Sequence, residues 1–194
     1  MNKLLYLMPI LALSVMAFHN PVTYRVDLSS SVIVWKGYKV TGEHTGTVKL
    51  KSGELQFTNG RLSGGSFEAD MTTINCTDLE GATAEKLVNH LKSDDFFGVQ
   101  KYPIARFVIT KAFPTDTKGN YRITGNLTIK ETTKEVKFNA LVTESGNQIK
   151  ASGKLTIDRA DFNVRYGSGS FFDNLGDKTI YDEFDLNVTV VAKK

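Results

Sequence analysis

Apolar and polar residues alternate with period two along nearly the whole chain, and one block, residues 90–107 (HLKSDDFFGVQKYPIARF), breaks the alternation. Such alternation gives every strand one apolar face, so the strands must share an interior. Tyr24, Val26 and Leu28 open the pattern, and VIVWKGYKV (32–40) follows as a more apolar strand around Trp35. Val48 and Leu50 continue it, Ser52-Gly53 reads as a break, and Leu55 and Phe57 resume it. Asn59-Gly60 is the strongest short hairpin signal. The apolar parity then shifts between Leu62 and Phe67, Ala69 and Met71, and Gly64-Gly65 marks the slip as a bulge. Ala84, Leu87, Val88 and Leu91 share one helical face. They predict a short helix over about 82–92, with Thr83 as N-cap and Ser93-Asp94-Asp95 at its end.

The C-terminal half reads as a meander. Phe107, Ile109 and Phe113 face one way, with Lys111 the exception, and four further alternating rows follow: 121–129, 136–142, 149–157 and 184–190. Most of the connections are short and polar, so they join antiparallel neighbours, and a Gly/Ser/Asp-rich loop, 166–178, precedes the last strand. The expectation is an all-β barrel or sandwich with one helical interruption closing an end.

A chain of 194 residues is enough for one domain with a full core. Its net charge of +3 is small and its Lys and Arg residues are interspersed with acids, which argues against a nucleic-acid partner. A transmembrane barrel also alternates, with its apolar face outward. Here Lys137, Lys150, Lys154 and Asp185 stand in mid-strand, no aromatic girdles bracket the strands, and the chain ends in Ala-Lys-Lys. The apolar faces are therefore expected inside, with no stable membrane insertion. Cys76 is the lone cysteine, so no intrachain disulfide forms, and it reads as buried and inert.

Residues 1–17 read as a signal peptide: a basic Met1-Asn2-Lys3, an apolar run from Leu4 to Ala17, and Val15-Met16-Ala17 as a cleavage motif. The run falls short of the ~20 residues that span a bilayer; a retained anchor is the competing reading. The expected location is periplasmic or secreted, with residues 18–194 as a single barrel domain.

Five ordered blocks carry a family resemblance: VIVWKGYKVTGEHTG (32–46), LSGGSFEADMTTI (62–74), KLVNHLKSDDFFGVQKYPIARF (86–107), ITGNLTIKETTKEVKF (123–138) and LTIDRADFNVRYGS (155–168). Together they resemble the YceI-like family of exported lipid-binding proteins over essentially the whole chain after the leader. The resemblance implies a lipocalin-like, antiparallel, eight-stranded up-and-down barrel around an apolar tunnel that holds a polyisoprenoid or another long amphiphile. The tunnel candidates are Trp35, Phe67, Phe107, Ile109, Leu127, Phe138, Ala140 and Leu155, and Arg159 and Tyr166 are candidates for the mouth and headgroup. Gly125, Gly153, Ala140 and Ala151 in the inward rows either leave room in the lumen or accommodate Phe107, Phe113 and Phe138. The chain departs from the family where Gly98 stands in place of a common Asp or Asn. It also carries the Trp-Lys-Gly form of the strand around Trp35. Both departures leave the cargo unnamed.

No catalytic or metal-ligating signature stands out. The histidines are His19, His44 and His90, and there is no paired-histidine metal motif, nucleophile elbow or phosphate loop. His44 with Asp70 or Asp158 is the kind of pair any barrel offers, so His44 and His90 read as structural or rim residues. Arg159 either meets a polar headgroup or pairs with an acid such as Asp70 to pin the loop 158–170, and the structural role is favoured. The expected function is carriage or sequestration of a long-chain lipid, not enzymatic, with no cofactor beyond the bound isoprenoid or fatty lipid. An enzyme acting on an isoprenoid at the barrel mouth, a self-filled structural barrel, and a homodimer stay open.

Overall fold

The structure, a computed structural model, describes residues 20–194; the expected signal peptide, residues 1–17, and its expected cleavage motif lie outside the described residues. Nine strand segments form one antiparallel sheet: β1 (Val22–Val26), β2 (Val32–Lys39), β3 (Gly42–Thr58), β4 (Arg61–Cys76), β5 (Ile104–Pro114), β6 (Asn120–Ile129), β7 (Thr132–Ser145), β8 (Gln148–Asp158) and β9 (Ile180–Lys193). Each of β3 to β9 pairs with its chain neighbour, and β1 and β2 both lie between β3 and β9. They are two lengths of one stave. The result is a closed, eight-staved, up-and-down barrel. At the interruption the Asp27 carboxylate accepts from the Ser29 amide and hydroxyl, while Ser31 Oγ accepts from the Val191 amide and so bridges the gap in the ladder.

Bulges decide which side chains face inward. Ser52-Gly53 does not end a strand, as the sequence suggested. Both residues lie inside the unbroken β3, and a register shift between Leu50 and Ser52 resets the parity from Leu50 to Leu55. The expected slip near Gly64-Gly65 is present, with Ser63 the extra residue opposite Gln56 and Phe57. A third bulge was not foreseen. Thr110 is the extra residue opposite the Thr124–Gly125 step, so Ala112 turns in and Phe113, expected inside, turns out and is 58% exposed. The Asn59-Gly60 hairpin has φ of 53° and 73°, the left-handed pair of a type I′ turn.

The helix α1 (Gly81–Lys92) lies beside β4 over one end of the barrel, with Leu91 buried and Leu87 packed on the cluster around Trp35. Its N-cap is Glu80, which makes no side-chain cap bond; Thr83, the expected cap, lies within the first turn. Ser93 ends it, with amide and hydroxyl both donating to the His90 carbonyl. Gly98 follows at φ 56°. That is the left-handed conformation which Gly, Asn and Asp tolerate best, so the departure from Asp or Asn keeps the backbone requirement intact.

Candidate functional site

The inward rows close one end and leave the other hollow. At the end formed by the 59–60, 114–120 and 146–147 turns, Tyr24, Leu55, Phe57, Leu62, Tyr121, Ile149 and Ala192 pack into a plug, each at most 8% exposed. From this plug a cavity of about 570 Å³ runs along the axis to the opposite end. It opens there among α1, the β2–β3 turn and the β8–β9 loop, where Tyr38, Lys39, His44, His90, Tyr166 and Lys178 border it. Its volume lies within the ~300–1,000 Å³ usual for small-molecule pockets. Ile33, Phe67, Phe107, Ile109, Phe138 and Val188 point inward yet remain only half-buried. The surface they leave open faces this space.

Trp35, Phe67, Phe107, Ile109, Leu127, Phe138, Ala140 and Leu155 all line the cavity, and Arg159 and Tyr166 border it nearer the mouth. Sequence reasoning left out Met71, Ile74, Leu91, Phe96, Phe97 and Leu186, which line it too. Leu186 was within reach, because it shares the parity of Phe184 and Val188. Phe96 and Phe97 had only their adjacency as a signal, since the turn that aims them inward follows the helix and has no period.

Arg159 is 3% exposed and engaged with the scaffold. It donates from Nε to the Tyr181 carbonyl, from Nη1 to Val164 and from Nη2 to Ile180, at 3.1, 2.9 and 2.9 Å. Its acidic partner is Asp182, 3.1 Å away, and not Asp70, which closes a local turn with Thr72. Oδ1 of Asp182 lies off the N–H directions and accepts no hydrogen bond, so this contact is an ion pair only. Burial lowers the pKa of the guanidinium while Asp182 and Asp158 oppose it. The guanidinium also lies 5.4 Å over the Phe96 ring. Tyr166 stands edge-on to His90 at 4.4 Å and is 46% exposed.

The small inward residues have occupants. A Cβ on Gly125 would meet the Phe107 ring at 2.4 Å, and one on Gly153 would meet the Phe138 ring at 3.0 Å. Likewise Gly53 lies under Phe67, at 2.7 Å, and Gly46 under Trp35, at 2.6 Å. The glycines are covered by rings folded onto the wall, with cavity left beyond the rings. Phe113 takes no part.

Two carboxylates anchor the rim and the outer wall. Burial tends to raise the Asp78 pKa, but the Thr45 amide, His44 Nδ1 at 3.0 Å and Cys76 Sγ hold it down at about 2. Asp78 is therefore the partner of His44. Cys76 is a buried free thiol whose pKa is raised, chiefly by that burial. On the outer wall the Asp185 carboxyl is held at about 2, first by the Thr156 hydroxyl at 2.6 Å, then by Lys154 and the Tyr38 hydroxyl, both at 2.9 Å.

The fold and cavity have counterparts among known proteins. The family model described as the YceI-like domain matches residues 24–192. A UPF0312 protein of Photorhabdus laumondii is 34% identical over 105 residues, 50% of this chain and 52% of the relative, so the match spans about half that relative's length. The crystal structure of BcnA from Burkholderia cenocepacia superposes with a TM-score of 0.72 at 24% identity, covering 87% of this chain and 99% of that one. A polyisoprenoid binding domain from Saccharophagus degradans superposes with a TM-score of 0.63 at 13% identity, covering 88% and 97%. At these identities the two structures show a shared fold. The family match over the whole barrel goes further: this chain belongs to the YceI-like family.

Proposed function

We propose that the protein binds a long-chain amphiphilic lipid, a polyisoprenoid or a related chain, inside the barrel and carries or sequesters it without covalent change. The observation that carries this reading is the cavity of about 570 Å³, walled by apolar side chains and blind at one end. The Saccharophagus domain of the same fold, described as polyisoprenoid-binding, supports it. Burial alone supplies the affinity. Each methylene contributes about 0.8 kcal/mol, so about sixteen carbons give roughly 13 kcal/mol gross, against about 4–15 kcal/mol for association. Trp35, Phe67, Phe107, Ile109, Leu127, Phe138, Ala140 and Leu155 are the proposed wall contacts. At the mouth, Lys39, His90, Tyr166 and Lys178 are polar groups that can meet a headgroup, whereas Arg159, Tyr38 and His44 are already engaged. The reading of residues 1–17 as a signal peptide supports an exported location for this activity, where the free chain would partition into membranes.

The test is to purify the protein, extract it, and weigh what copurifies, then to repeat after incubation with polyprenyl and acyl lipids. Unaltered lipid recovered at about one per chain supports a carrier. A hydrolysed or transferred product formed with turnover would replace this reading with an enzyme acting at the barrel mouth.

A further inference from the structure

The rings that fold onto glycines stand at mid-height in the cavity. Phe107 and Gly125 lie on the paired strands β5 and β6, and Phe138 and Gly153 on β7 and β8. The centroids of Phe107 and Phe138 are 5.7 Å apart and those of Phe67 and Phe107 are 6.4 Å apart, so the three form one continuous aromatic row across the wall. Mouthward of the row lie Leu127 and Leu155, and beyond it, toward the plug, lie Ile123, Ala140 and Val142, which also line the cavity. The cavity passes this row only because each ring lies flat against a neighbouring strand. A β-carbon at Gly125 would stand 2.4 Å from ring carbon, which the Phe107 ring cannot accept in place; one at Gly153 would stand at 3.0 Å, so the Phe138 ring must already give for a methyl and must lift further for a branched side chain.

The geometry points to Gly125 and Gly153 as specificity-determining positions: by seating Phe107 and Phe138 in the wall they keep the deep half of the cavity open and set the length of chain accepted. This rests on the lipid-binding reading above and assigns its length selectivity to two glycine seats. A side chain on either seat lifts the ring into the lumen and leaves only the mouthward half to a ligand. Gly153 is the better position to test. The nearest atoms to its added Cβ are in the Phe138 ring, and the Asn139 carbonyl oxygen is farther, at 3.3 Å, whereas at Gly125 the Val108 carbonyl oxygen stands at 2.6 Å.

The experiment measures affinity for a short and a long polyprenol, farnesol and octaprenol, in wild type, Gly153→Val, Phe138→Trp, and the double variant Gly153→Val/Phe138→Ala. Gly153→Val is expected to weaken octaprenol at least about tenfold, which the loss of two buried methylenes suffices to produce. Farnesol binding should stay within about twofold on the same grounds. The double variant should recover octaprenol, because the ring that was displaced is gone. Phe138→Trp enlarges the ring without touching the seat and should give the same length-dependent loss, so it decides the matter if Gly153→Val does not fold. Unchanged octaprenol binding in the folded single variants, or an equal loss for both alcohols, overturns the proposal. Wild type that retains neither alcohol overturns the lipid-binding reading beneath it, a result distinct from the other two.

Discussion

Arg159 donates to three carbonyls from two separate stretches of chain, Val164 and Ile180–Tyr181, and so ties the β8–β9 loop to the start of the last strand. Arg159→Met would remove the donor to those carbonyls and the countercharge of Asp182, whose Oδ2 would still accept from the Ser168 and Ser170 hydroxyls. The expected cost is about 3–5 kcal/mol, read as a fall in the urea midpoint at unchanged slope. Arg159→Lys should recover only part of it, because an ammonium cannot reproduce the planar fork. Gly46 makes a sharper case, since a Cβ there would stand 1.7 Å from the Asn75 carbonyl oxygen, and backbone must move to admit it. Gly46→Ala should cost at least about 1–3 kcal/mol by overpacking, and equal urea midpoints for variant and wild type would refute that account. Neither partner was legible in the sequence. Asp182 lies 23 positions from Arg159, and only the register of β9 against β8 brings them together. Gly125 and Gly153 were legible as small inward residues, and Phe107 and Phe138 as rings they could accommodate, but not which ring covers which glycine, because each pair is drawn from two strands; Gly46 gave no such sign.

At the scale of the strands, the seam between β2, β9 and β8 carries a charged clamp on the outer wall. Asp185 of β9 accepts from Tyr38 of β2 and from Thr156 and Lys154 of β8. Its pKa falls from 3.8 to about 2 on folding. A carboxyl with a depressed folded pKa adds stability that is complete above its unfolded value and is lost as pH falls through the folded one. Stability should thus decline from about pH 4 to about pH 2. Asp185→Asn should flatten that part of the profile, and urea midpoints measured at both ends of the window check it. An undiminished slope in the variant would assign the acid sensitivity elsewhere, with Asp78, also held at about 2, the next group to test. The strands themselves were legible from their alternation, because an inward row is apolar whatever it packs against. Bulges were legible only where glycine marked them. Gly64-Gly65 gave its slip away, whereas the extra residue at Thr110 has no such sign, and Phe113 was placed on the wrong face for that reason.

For the molecule as a whole, only the folded barrel has a cavity, so a bound chain must raise stability by mass action. A lipid at a hundred times its dissociation constant should add about 2.7 kcal/mol. That corresponds to a rise in Tm of roughly 5–10 °C for a chain of this size. A melt in the presence of a polyprenol checks it, and no shift at saturating lipid would count against the carrier reading. The closed barrel followed from sequence pattern and family resemblance, but the size of the hollow did not, since it depends on how rings and glycines divide the lumen. The packed plug has a consequence for the order of events. With one end sealed by Tyr24, Phe57, Tyr121 and Ile149, a long amphiphile has a single way in, and its hydrocarbon terminus must go first. Its polar group is then the last part to arrive and the first to leave. On the proposed lipid-binding reading, cargo would be held with its handle outward, at the Tyr166 rim, where a recipient could grasp it without opening the barrel.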